Sequence, residues 1–145
     1  MMIRSAISDE DIITCYEVMS ELRPHLQKDT FLEQIREMEK EGFRMAFVED
    51  DGDIVAVAGY RIFNSLFMGK NLYVDDLVTS AVRRSSGFGS QLMDWLRKLA
   101  KTEGCQYLHL DSGTQREQAH KFYFREGMTI SSFHFAESLS ETRVT

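Results

Sequence analysis

Cysteine is almost absent from this chain. Only Cys15 and Cys105 occur in 145 residues, with no C-x-x-C spacing. A disulfide scaffold and a thiolate metal site are therefore both excluded. Each cysteine lies in an apolar segment and is expected as a buried thiol of a cytoplasmic protein. His25, His109, His120 and His134 show no metal-ligand spacing, so no metal is expected. No apolar run approaches a membrane span, and "MMIRSAISDED" lacks the apolar core of a signal peptide. Basic charge is also scarce: 17 Lys and Arg face 23 Asp and Glu, a formal charge of -6. That balance argues against nucleic acid as a partner and is compatible with a cationic substrate. What remains is one globular domain, 1–145, long enough to bury a core.

What is present alternates between strand and helix patterns. Met2 to Ile7 reads as a short strand. Ser8 with Asp11 forms a capping box, after which Ile12, Tyr16 and Met19 share one helical face. "RPHLQKD" is a break around the single proline. Thr30 with Glu33 suggests a second capping box, Phe31, Ile35 and Met38 a second helix face, and Gly42 its stop. Phe43 to Glu49 and Ile54 to Phe63 are strand-like and joined by "DDGD", a hairpin signal. "NSLFMGKN" is another turn, Leu72 to Thr79 a third central strand, and a helix follows to about Glu103, closed by Gly104. "CQYLHLD" predicts the next strand, Thr114 with Glu117 a third capping box, and Gly127 the end of the last helix. Met128 to Phe135 is expected as a final strand, and 137–145 as a frayed tail or short edge strand. The fold class is mixed α/β with an antiparallel meander at its centre.

Between strand and helix lies "RRSSGFGSQLMDWL", residues 83–96. A Walker loop needs G-K-[ST], but Gly89 is followed by Ser90 and Gln91. A dinucleotide fingerprint needs a small third residue where Leu92 stands, and too little chain follows for a second nucleotide-binding half. The physical core of both motifs survives. Glycines strip away Cβ atoms, so loop and first-turn N–H groups can face an anion, with the helix dipole assisting. A plain strand-to-helix turn would use the same residues.

"DLVTSAVRRSSGFGSQLMDWL" resembles the signature of the GCN5-related N-acetyltransferase superfamily, whose R-x-x-G-x-G is filled here by Arg84, Gly87 and Gly89. Downstream, "QAHKFYFREGM" resembles the family's A-x-x-x-Y-x-x-x-G-F segment through Ala119, Tyr123 and Gly127. The two matches and the order of elements extend the resemblance from about Ile3 to Phe135. The resemblance implies a mixed, mostly antiparallel sheet, split between Leu72–Thr79 and Cys105–Asp111 and flanked by about four helices. It also implies acetyl-CoA as cosubstrate in that split. Pantetheine would meet the backbone of Leu77, Val78 and Thr79, with Arg116 and Ala119 adding contacts. Pyrophosphate would meet the amides of Arg84, Ser85, Ser86, Gly87, Phe88, Gly89 and Ser90. The acyl acceptor implied is a primary amine of a small molecule or peptide. A CoA-binding sensor or interaction module that lost turnover is the other reading the fold allows.

Such chemistry needs two proton handlers. An ammonium of pKa ~10.4 must lose its proton before attack, which costs roughly 4 to 5 kcal/mol at pH 7. "YVDDLV" places Asp75 and Asp76 side by side in an apolar strand, where period two would send them to opposite faces. A carboxylate in a central strand is expensive without a reason. Asp75 matches the place of a family glutamate and is the first candidate for base or amine-binding group, with Asp76 second; a salt-bridged carboxylate is the plainer alternative. Tyr123 coincides with the tyrosine whose hydroxyl meets the departing thiolate. His120 is expected as a structural or pocket-rim residue, with help in proton movement as the alternative, and Phe122 in the core. Tyr60, Phe63, Phe67 and Tyr73 are expected mostly as strand packing, with an acceptor pocket as the alternative. The chain departs from the family pattern at Ser80 and Ala81 (proline is frequent there), Ser85 (glycine), Arg116 (asparagine) and Met128 (an aromatic). The short C-terminus leaves a sheet edge that a second subunit would complete, giving a homodimer.

Overall fold

The computed structural model describes residues 1–140. Strand β1 (Met2–Ser5) leads into α1 (Asp9–Thr14) and α2 (Tyr16–Leu22), then α3 (Phe31–Glu39), β2 (Phe43–Asp50), β3 (Asp53–Ser65) and β4 (Gly69–Thr79). A single 3-10 turn (Ala81–Arg83) precedes α4 (Phe88–Thr102), β5 (Tyr107–Leu110) and α5 (Glu117–Arg125). The sheet runs β1-β2-β3-β4-β5, antiparallel through β4 and parallel between β4 and β5. Two compact units divide the chain, Met1–Leu110 and the residues from Asp111 onward. Among the described residues, no helix is long and apolar enough to cross a membrane.

In the first unit the sheet has two covered faces. Ile12, Val18, Met19, Phe31 and Ile35 from α1–α3 pack with Phe43, Met45, Phe47, Val57 and Val78 into one buried cluster. On the other face α4 buries Leu92, Met93 and Leu96, and Trp95 meets Tyr60 edge-on at 6.3 Å. The Ser8 cap forms as expected, its hydroxyl accepting from the Asp11 N–H at 3.1 Å. The single helix expected after it is interrupted at Cys15, whose N–H reaches Ile12 O at 3.1 Å, a tightened turn that divides α1 from α2. The boxes at Thr30 and Thr114 do not form. No side chain caps α3 at Thr30, and α5 starts only at Glu117, with Arg116 in the cap position.

In the second unit, α5 carries no fully buried residue, so Phe122 is half-buried rather than core. Met128–Phe135 is not a strand. A strand exists through its ladder, and no partner pairs with this segment among the described residues. Ile130, Phe133 and Phe135 stand 71%, 82% and 92% exposed. Of the tail expected at 137–145, residues 137–140 carry no helix or strand, and 141–145 lie outside the described residues.

Candidate active site

The meander positions the site because β4 is longer than the strand it meets. β5 pairs with β4 only from Asn71 to Val74. From Asp75 to Thr79, β4 keeps β3 on one side and has no strand on the other among the described residues. A strand edge with unspent N–H and C=O groups thus opens at Leu77, Val78 and Thr79. The buried side chain of Asn71 secures the closed end of the split. Its amide nitrogen donates to Phe63 O (3.1 Å) and Gly69 O (3.0 Å), and its oxygen meets His109 Nε2 at 2.8 Å.

The split begins at an irregularity. Gly59 pairs with Asp76 but Tyr60 pairs with Val74, so Asp75 is an extra residue, a β-bulge in β4. The bulge overturns the expectation that the two aspartates point apart. Gly59 and Arg61 share one face of β3, and Phe43 lies opposite Arg61 on β2. Asp76 Oδ2 sits 2.6 Å from the position a Cβ on Gly59 would occupy, while Asp75 is held by Arg61. Both carboxylates therefore lie on the α1–α3 face. Only glycine fits at 59, since that Cβ would also stand 2.5 Å from Phe43 Cζ.

Each carboxylate has an arginine. Arg61 donates to Asp75 through both Nε (3.0 Å) and Nη2 (2.9 Å), and lies over the rings of Phe63 and Tyr73. Arg23, beyond the end of α2, donates from Nε to Asp76 Oδ1 at 2.9 Å and from Nη2 to the Asp75 carbonyl at 3.1 Å. The Asp76 side chain is only 13% exposed. Burial pushes its carboxyl above the ordinary carboxylate range, against the pull of Arg23. Sequence reading missed Arg23, which it saw only as part of a break; nothing local ties position 23 to position 76.

Beyond β4 the chain turns through the loop at 84–87. Ser85 and Gly87 have φ of 68° and 83°, and a Cβ at Gly87 would meet no atom within 4 Å. No side chain caps α4 there. Arg83 is tied to Asp50 and packs over Phe88, whereas exposed Arg84 makes no ion pair among the described residues. Open amides, an uncapped helix start and an uncommitted cation suit an anion. Together with the bare edge of β4, they fit the pyrophosphate and pantetheine of a CoA thioester.

The remaining candidates fall apart into separate settings. Tyr60 is core, but Phe63 is 38% exposed and Phe67, in the turn between β3 and β4, is 86% exposed. Tyr73 meets His109 edge-on at 5.0 Å. Cys15 is buried and its thiol is pushed up to about 12 by burial; Cys105 is half-buried rather than buried. In the second unit, Tyr123 is half-buried and edge-on to Phe122 at 5.3 Å. Burial raises its phenol, against the pull of Arg116. His120 Nε2 meets Gly113 O at 2.7 Å, and Ala119 lies on the same helix.

Comparison with known proteins adds four findings. Residues 10–128 match the model of the acetyltransferase (GNAT) family. An uncharacterized N-acetyltransferase of Bacillus subtilis, YhdJ, is 35% identical over 130 residues, 88% of this chain and 92% of that protein. The aminoalkylphosphonate N-acetyltransferase of Salmonella typhimurium is 35% identical over 66 residues, 46% of this chain and 43% of that protein. Among solved structures, an aminoglycoside N-acetyltransferase in complex with CoA superposes with a TM-score of 0.80 at 15% identity, over 96% of this chain and 95% of that one.

Proposed function

The chain belongs to the acetyltransferase (GNAT) family and is an acyltransferase, and from that premise we propose that it moves an acetyl group from acetyl-CoA to a primary amine of a small molecule or peptide. The observation that carries this reading is the coincidence, at one end of β4, of an edge over Leu77–Thr79 that no strand covers among the described residues with a loop open at Gly87. Bound acetyl-CoA supplies the thioester carbonyl that the amine attacks. Leu77, Val78 and Thr79 hold pantetheine through backbone groups, and the amides from Arg84 to Ser90 hold pyrophosphate, with Arg84 adding charge.

Asp76 takes the proton of the substrate ammonium, directly or through water. Both oxygens of Asp75 are engaged by Arg61, whereas Asp76 gives only Oδ1 to Arg23. A carboxyl already raised by burial is also the better base near neutral pH. Asp75, with both oxygens on Arg61, then orients that arginine beside the acceptor rather than taking its proton. Tyr123 is assigned the protonation of the leaving thiolate from its place in the A-x-x-x-Y segment, and Arg116 and Ala119 the cofactor contacts of that segment. A second copy of the chain is assigned to the side of β5 away from β4, where no strand pairs among the described residues, and a monomer mass at micromolar concentration by light scattering removes that assignment.

The test is a thiol-release screen over amines, amino acids, polyamines, aminoglycosides and aminoalkylphosphonates. Release of CoA that depends on one amine class supports the reading and names the acceptor. A protein that binds CoA in calorimetry yet releases none with any amine is a sensor instead. Absence of CoA binding at millimolar concentration removes both.

A further inference from the structure

Asp75 is the residue that the sheet leaves unsupported. It has no register partner on β3, and pairing with β5 has ended one residue earlier. Its carbonyl is taken instead by Arg23 Nη2 at 3.1 Å, while Nε of the same guanidinium holds Asp76 Oδ1 at 2.9 Å. One rigid planar fork therefore fixes a backbone oxygen and a carboxylate together, a task a lysine point charge does not perform.

Arg23 is itself well placed. Its backbone N–H donates to Met19 O at 2.9 Å, and the Tyr16 hydroxyl pins the following turn at Leu26 O, 3.0 Å away. The same helix grips the far end of the split, where Glu21 Oε1 accepts from the Ala81 N–H at 2.8 Å. α2 and the residue after it thus brace the chain on both sides of the edge assigned to pantetheine, at Asp75–Asp76 and at Ala81.

We propose that Arg23 is a positioning residue for acetyl transfer, holding the Asp75 bulge and the Asp76 carboxylate in the arrangement the reaction uses. The proposal rests on the reading that transfer occurs at this end of β4. The charged groups acting on Asp76 are Arg23 from beyond α2, Asp75 along β4 and Arg61 from β3. Loss of the Arg23 cation moves the Asp76 carboxyl further up, so a base that must be ionised becomes active only at higher pH.

Arg23→Gln and Arg23→Lys are compared by steady-state kinetics across pH and by CoA titration. In Arg23→Gln, kcat falls about tenfold or more, because misplacement by about 1 Å can cost about 100-fold. CoA affinity stays within about threefold, and the acidic limb of the kcat profile moves to higher pH. Arg23→Lys keeps the charge and leaves the limb close to wild type, but kcat stays low because the fork is gone. If Arg23→Gln does not fold, Arg23→Lys decides alone: reduced kcat with CoA affinity retained supports the role, and wild-type kcat overturns it. Wild-type kcat and limb in Arg23→Gln overturn it, as does a kcat loss matched by lost CoA binding with the limb unmoved. A wild-type protein that turns over no amine overturns the proposed function, and this role with it.

Discussion

Gly59→Ala probes the most crowded point of the site. The added Cβ would sit 2.5 Å from Phe43 Cζ, 2.7 Å from Phe43 Cε1 and 2.6 Å from Asp76 Oδ2. Phe43 is only 2% exposed, so its ring has no free space to retreat into. Overpacking of this kind costs about 1 to 3 kcal/mol. For a chain of this length that lowers Tm by about 3 to 9 °C, at about 3 °C per kcal/mol. Thermal denaturation followed by circular dichroism reads the shift. Phe43→Leu removes the ring atoms, so the double variant recovers part of the loss, with a coupling of about 0.5 to 3 kcal/mol. The clash with Asp76 remains in that background, and kcat stays depressed while stability returns. A Gly59→Ala protein with Tm within about 1 °C of wild type would refute the placement of Phe43 and Asp76 over Gly59.

Two further outcomes are expected. Gly87→Val introduces a β-branched residue at φ 83°, where the loop is open, and should weaken CoA binding about tenfold or more by calorimetry; unchanged affinity would move the phosphate site elsewhere. Tyr123→Phe should lower kcat about tenfold or more while CoA affinity holds, and less with an acyl donor of more acidic thiol, since a positioned acid contributes about 100-fold or more. Equal rates with every donor would make Tyr123 a packing residue.

Most of the architecture was legible because it rests on local signals. The Ser8 cap, the "DDGD" hairpin and the glycine loop opening α4 each lie within a few residues of the structure they specify. The failures share a different origin. Thr30 and Thr114 carry capping-box spacing, yet Thr30 sits at the N-cap of α3 without bonding its amides, its hydroxyl donating to Gln27 O instead, and α5 starts only after Arg116. Met128–Phe135 reads as a final strand, but a strand needs a partner, and none pairs with this segment among the described residues. Period two sent Asp75 and Asp76 to opposite faces, and a one-residue bulge brought them to the same one. The bulge has no signature of its own in "YVDDLV". It becomes visible through Gly59, sixteen residues earlier in the chain from Asp75, and through Arg23, which lies across the fold from the strand it holds.

Direct transfer of an acetyl group to an amine is followed with acetyl-CoA that carries an isotopic label in its acetyl group. The wild-type protein, the labelled donor and the amine selected by the thiol-release screen are mixed and resolved by mass spectrometry. Label is expected in an amide of the amine, with one CoA released per amide formed and a protein mass that does not change. Release of CoA with the label in free acetate, or label retained on the protein, would contradict direct transfer.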